Sequence, residues 1–193
     1  MQQTSKWLYT SGTIIIVMLA ADVIFLTLKV NRLESQILSS SLISQVEPLH
    51  PGDVVEGITV QSLDGKNQTL TFKESRSMYL LFVFSTTCPY CISSIPKWKV
   101  IAEQTENDCF ILGLSIHDVD KTIQYMQDKD LPFYVMSVTD VEFPKKFHLR
   151  GVPTTYLINE GGIVQNTWAG KLEDDQVEEI VTAVHRSVLQ NTN

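Results

Sequence analysis

Two cysteines separated by two residues, Cys88 and Cys91 in the stretch Ser85-Thr86-Thr87-Cys88-Pro89-Tyr90-Cys91, are the side chains best suited to chemistry. The apolar, β-prone run Tyr79-Leu80-Leu81-Phe82-Val83-Phe84 leads into them, and a helix predicted over Ile92–Glu103 leads out. At a strand-to-helix turn such a pair can close a small disulfide. Cys88 then falls at the helix N-terminus, where free backbone N–H groups and the positive end of the macrodipole stabilise a thiolate. A thiolate attacks disulfides, and Cys91 is close enough to resolve the mixed intermediate.

Two other readings fit a bare C-x-x-C. A structural zinc needs four ligands, yet the only further cysteine is Cys109, and His50, His117, His148 and His185 are scattered without ligand spacing. Two inert thiols in a core are the third possibility. The cysteine pattern favours redox chemistry and implies neither a metal nor another cofactor.

The bulk composition sets outer limits. At 193 residues, 44% hydrophobic and 19% charged, the chain fits one domain of ordinary size plus an appendage. Its net charge of -7 argues against nucleic acid, because phosphate binding calls for a basic stripe. Three cysteines are too few for a disulfide-stapled scaffold and suit one reactive pair plus a spare.

Residues 7–29 are expected to anchor the chain in a membrane. Trp7 to Leu28 is apolar over the length a bilayer-crossing helix needs, and Trp7 and Tyr9 suit an interface. Asp22 objects, at a cost of about 2.5–3.5 kcal/mol inside a bilayer. A cleaved signal ending at Ala21 is the rival, but Leu19 fits the small-residue rule poorly and apolar sequence continues beyond it. Residues 1–6 form a short tail and 30–50 a juxtamembrane helix or stalk. Pro48 and Pro51-Gly52 mark the domain boundary, so residues 51–193 are the folded domain. Basic residues on both sides leave orientation undecided. An oxidising compartment is where such chemistry would meet substrates, so the domain is placed outside the cytoplasm.

Along that domain the pattern predicts a hairpin from Val54–Val60 and Asn67–Phe72 around Asp64-Gly65, a buried strand through Ser85, and a helix kinked at Pro96. A strand over Cys109–Ser115 follows, with Cys109 read as a small core residue. Asp118 caps a helix through Lys129 with Val119, Ile123 and Met126 on one face. Phe133–Val138 is a short strand, and Thr139 or Asp140 caps a brief helix ending at Leu149. Thr154–Ile158 and Ile163–Trp168 pair around Asn159-Glu160-Gly161-Gly162, and an amphipathic helix over Leu172–Leu189 closes the chain with an acidic first turn. That order argues for an α/β sheet with helices on both faces.

Gly151-Val152-Pro153-Thr154-Thr155 is the second constellation, with proline opening an apolar strand. Together, FSTTCPYC with Pro96 after it and GVPTTYLINEGGIV before a final helix resemble the thioredoxin fold, and more narrowly the membrane-anchored TlpA/ResA-like thiol–disulfide oxidoreductases. The resemblance covers roughly residues 50–190, including the helix–strand insertion Asp118–Val138. It implies that Cys88 attacks and Cys91 resolves, that Pro89 and Tyr90 tune the potential, and that Pro153 is cis with the Val152 backbone free to pair with a substrate chain. It also implies protein thiols and disulfides as substrates and a membrane redox partner. Apocytochrome c maturation is one open role among several. Three departures stand out: Phe82 where many thioredoxins bury an acid, Ser94 where some ResA-like proteins place Glu, and Thr87 where an aromatic usually precedes the first cysteine.

Other members of the same broad superfamily fit less well. A peroxiredoxin-type peroxidase wants Thr or Ser three residues before its cysteine, which Ser85 supplies, and a proline four residues earlier, where Leu81 stands. A Sco-type copper carrier wants C-x-x-x-C. A non-catalytic scaffold would more often have lost one cysteine.

Overall fold

The computed structural model describes Met18 and residues 47–72 and 78–191. The chain divides into two units, Met1–Gln45 and Val46–Asn193. The expected membrane span and juxtamembrane segment lie, apart from Met18 and residues 47–50, outside the described residues. Among the described residues no helix is long and apolar enough to cross a membrane.

The folded unit is built on one mixed sheet of seven strands: β1 (Ile58–Ser62), β2 (Asn67–Leu70), β3 (Met78–Phe84), β4 (Phe110–Ser115), β5 (Tyr134–Val138), β6 (Thr154–Asn159) and β7 (Val164–Ala169). Their order across the sheet is β2-β1-β5-β4-β3-β6-β7. Among the described residues four helices complete it: α1 (Pro89–Thr105), α2 (Val119–Lys129), α3 (Phe143–Lys146) and α4 (Asp174–Asn191).

Strand β3 is buried at every position because both of its faces are covered. Successive side chains alternate across a sheet. Met78, Leu80, Phe82 and Phe84 therefore enter one core with α1, α2 and α4, while Tyr79, Leu81 and Val83 enter the other with α3 and the segment before β1. Phe82 stacks on Trp98 of α1 with ring centroids 5.3 Å apart, and Phe84 stacks on Tyr125 of α2 at 5.4 Å. Helix α1 buries Cys91, Ile95, Trp98, Ile101, Ala102 and Thr105, the spacing of one helical face. It continues through Pro96 as a single element.

Several boundaries differ from expectation. Helix α1 begins at Pro89, not Ile92, because proline is at home in the first turn, where its missing N–H has no partner to lose. On α2 the fully buried residues are Thr122 and Tyr125, with Val119, Ile123 and Met126 only half-buried beside them. Thr122 is tolerated inside because its hydroxyl donates to Ser115 Oγ at 2.8 Å and receives Ser137 Oγ at 3.1 Å. Helix α3 is capped by Glu142, two or three residues later than expected, while Asp140 holds the turn ahead of it by accepting from Glu142 N–H at 2.9 Å and Lys146 Nζ at 2.8 Å. Val54 makes only an isolated bridge to Ile163. Cys109 precedes β4 and is half-buried.

One glycine is required at the β6–β7 turn. Gly162 has φ +82°, and a Cβ there would lie 2.4 Å from the Val55 carbonyl oxygen. That carbonyl approach accompanies the Val55 N–H bond to Gly162 O at 2.8 Å, which ties the start of the domain to the turn.

Candidate active site

Strand pairing brings three loops together at one edge of the sheet. Strands β3 and β4 are parallel with Phe84 opposite Ser115, so Ser85 and the Ile116-His117 segment emerge side by side. Strand β6 runs antiparallel to β3 with Thr154 opposite Val83, so Pro153 enters the sheet where β3 leaves it. The carboxyl ends of parallel strands are where open α/β sheets place their ligands.

Cys88 is the N-cap residue of α1, extended at φ -81°, ψ 119°, with its Sγ accepting the Cys91 N–H at 3.4 Å. Its thiol donates in turn to the Val152 carbonyl at 3.4 Å. The Val152–Pro153 peptide is cis. The two constellations singled out in the sequence are thus in direct contact. Both cysteines are free thiols, Cys88 half-buried and Cys91 at 0% exposure. Pro89 is exposed, and Tyr90 stands 65% exposed beside Cys88.

The environments of the two sulfurs differ in kind. Burial pushes the Cys91 thiol up to about 12, only partly offset by a hydrogen bond from the Ser85 backbone. Among the described residues, the groups that set it are the Ser85 and Cys91 backbone and Cys88, with no carboxylate. Phe82 is fully buried, and Ser94 is buried with its hydroxyl donating to Tyr90 O at 2.9 Å. Among the described residues the buried Tyr125 hydroxyl has no hydrogen-bond partner, and it is pushed up to about 12 by burial and then by the neighbouring Cys91 and Cys88 sulfurs.

Ser85 was legible only as part of the motif, and its role as a hub was not. Its carbonyl accepts the Cys88 N–H at 3.3 Å, its hydroxyl accepts the Thr87 N–H at 3.3 Å, and the same hydroxyl meets His117 Nε2 at 2.9 Å. His117 looked like a stray histidine because 32 positions separate it from Ser85. The signal that could have found it is topological: residues just beyond two adjacent buried strands share one sheet edge. Cys109 is not part of this site. It lines a cleft of about 450 Å³ with Phe110, Leu131, Phe133 and Tyr134 at the opposite ends of β4 and β5, and burial pushes its thiol up to about 12.

Residues 51–167 match the AhpC/TSA family, more than half of the chain. The chain belongs to the AhpC/TSA family. Within it, this family member is 25% identical over 135 residues to the thiol-disulfide oxidoreductase ResA of Halalkalibacterium halodurans, covering 69% of this chain and 76% of the relative. It is 20% identical over 125 residues to the sporulation thiol-disulfide oxidoreductase A of Bacillus subtilis, covering 62% and 74% of the two chains. A Chlorobium tepidum structure described as the thiol:disulfide interchange protein DsbE superposes with a TM-score of 0.63 at 17% identity, covering 72% of this chain and 99% of that one. That last likeness is one of fold. This AhpC/TSA-family protein is therefore a ResA-like oxidoreductase with a thioredoxin-like mixed sheet.

Proposed function

We propose that the protein is a membrane-tethered thiol–disulfide oxidoreductase that exchanges disulfides with protein substrates outside the cytoplasm. The observation that carries the reading is the contrast within one motif. Cys88 Sγ sits at the mouth of α1, 3.4 Å from the Val152 carbonyl, while Cys91 is sealed beneath it. In the reducing direction the Cys88 thiolate attacks a substrate disulfide, one substrate sulfur departs, and a mixed disulfide forms. Cys91 loses its proton and attacks Cys88 Sγ, which releases the second substrate thiol and leaves a Cys88–Cys91 disulfide. The reverse sequence donates a disulfide.

Substrate binding follows from the same loops. A substrate chain running along the cis turn would pair with the Val152 backbone, with exposed Tyr90 flanking the target sulfur and Pro89 and Tyr90 setting the local potential. The names of the relatives support thiol–disulfide exchange as the reaction. The apolar run at residues 7–29 supports the tether, and a membrane redox partner would renew the pair.

Insulin reduction by the full-length protein tests the exchange. Wild type is expected to precipitate the insulin B chain in the presence of a dithiol, and Cys88→Ala to do so no faster than dithiol alone. Equal activity in Cys88→Ala would remove the reading. A Cys91→Ser variant is expected to accumulate mixed disulfides with its substrates, since the resolving sulfur is gone.

A further inference from the structure

A thiolate departing from a substrate disulfide has to be protonated or must compete to re-form its old bond, and no carboxylate among the described residues acts on Cys91 beneath Cys88. The exposed side of the motif carries a different device. His117 Nε2 lies 2.9 Å from Ser85 Oγ, and Ser85 Oγ lies 3.1 Å from Thr87 Oγ1. Thr87 is exposed and directly precedes Cys88. We propose that His117, Ser85 and Thr87 form a proton relay that delivers a proton to the substrate sulfur leaving the Cys88 attack.

The loop holding His117 is built to keep it there. Its backbone N–H donates to Ser115 Oγ at 3.2 Å, and Ser115 Oγ is itself fixed by the buried Thr122 hydroxyl at 2.8 Å. The Ile116 N–H donates to Phe84 O at 3.0 Å, which locks the segment to the end of β3. The neighbouring acid is engaged elsewhere: Asp118 caps α2 through the Lys121 N–H and pairs with Lys121 Nζ at 2.9 Å. From the β3–α1 turn, the group that meets the imidazole is the Ser85 hydroxyl.

Counting protons makes the relay balance. Ser85 Oγ has one proton and two lone pairs, one of which takes the Thr87 N–H. With His117 protonated, Nε2–H donates to Ser85 Oγ, Ser85 Oγ–H donates to Thr87 Oγ1, and the Thr87 proton faces outward. The Cys88 sulfur bonds to one substrate sulfur, the substrate S–S bond breaks, and its electron pair leaves on the other sulfur. That thiolate takes the Thr87 proton. Thr87 takes Ser85's, and Ser85 takes the Nε2 proton. The chain ends with Ser85 Oγ–H donating to a neutral imidazole and Thr87 Oγ1–H donating to Ser85. The same distances serve both states, and solvent reprotonates the half-buried ring.

The proposal rests on Cys88 attacking disulfides, and leaving-group chemistry separates the two claims. Reduced full-length protein would be reacted, by stopped flow at pH 7, with oxidised glutathione and with an aryl disulfide, dithiobis-nitrobenzoate. The alkyl thiolate leaves as a base that gains from a proton. The aryl thiolate is stable without one. In His117→Ala and His117→Gln the alkyl-to-aryl rate ratio is expected to fall about tenfold, below the usual benefit of a positioned acid because a thiolate can also leave unassisted. The glutamine keeps a side-chain donor toward Ser85 but has no titrating proton. An unchanged ratio in both variants, or a ratio restored by glutamine, would overturn the relay. Wild type inert to both disulfides, or Cys88→Ala reacting like wild type, would instead overturn the exchange reading beneath it.

Discussion

Limited alkylation of the reduced protein separates the three thiols by a margin set by burial. Cys91 is pushed from an ordinary 9.0 to about 12. At pH 7 its thiolate fraction falls from about one in a hundred to about one in a hundred thousand, a thousandfold loss. A more basic thiolate is also more nucleophilic, with a Brønsted slope of about 0.4–0.5, which returns about twentyfold over three units. The net penalty is about fiftyfold against an ordinary thiol, before counting that Cys91 has 0% exposure. Cys109 carries the same electronic penalty, since burial pushes it too to about 12. Full-length protein treated with limiting iodoacetamide at pH 7 and mapped by mass should therefore carry its first adduct on Cys88. In Cys88→Ala, Cys91 labelling should climb about tenfold per pH unit from pH 7 to 10 without a plateau, because the thiolate population is still rising there. Cys109 labelled ahead of Cys88, Cys91 labelled at parity with it, or a plateau below pH 9 would refute the reasoning.

Alkaline stability follows from the same two thiols. Their folded values are raised, so the folded chain keeps protons that the unfolded chain loses above about pH 9, and stability declines as pH rises from there toward 12. At pH 10 each thiol should cost about 1.4 kcal/mol, read by denaturant unfolding under reducing conditions, with Cys109→Ser halving the loss. A flat profile between pH 8 and 10 would contradict it. Gly162→Ala should destabilise by about 2 kcal/mol or more, from a positive φ and a backbone oxygen 2.4 Å from the new Cβ. Wild-type thermal stability in that variant would show that the turn can relax. The full-length protein should stay with membranes through carbonate extraction, and recovery of a mature form beginning near Asp22 would overturn the anchor.

The strongest elements were readable because one physical signal dominated each. The run around Phe82 has no polar residue, so only a strand covered on both faces could use it, and β3 is that strand. The last helix shows its apolar stripe with Ile180 and Val184 fully buried. Failures came where a residue's environment is assembled from afar. Thr122 sits inside because Ser115 and Ser137 meet it there, and a pattern built on apolar spacing passes over it. The start of α1 at Pro89 is hard to read because Pro89 also belongs to the C-x-x-C motif, although a first-turn proline is a helix opener. The cis Val152–Pro153 peptide was implied by family resemblance alone, and the bond from Cys88 to the Val152 carbonyl, across 64 positions, was not implied at all. The Ser85–His117 bond carried no local pattern and became visible only once β3 and β4 were neighbours.

The sealing of Cys91 also imposes an order of events. A sulfur with no opening to solvent can meet only what is already bonded to the residue above it, so small thiols and stray proteins have no route to the second half of the cycle. Whatever becomes joined to Cys88 is released from within, by a partner already waiting below. Commitment thus precedes completion, and the choice of substrate is made once, at the surface.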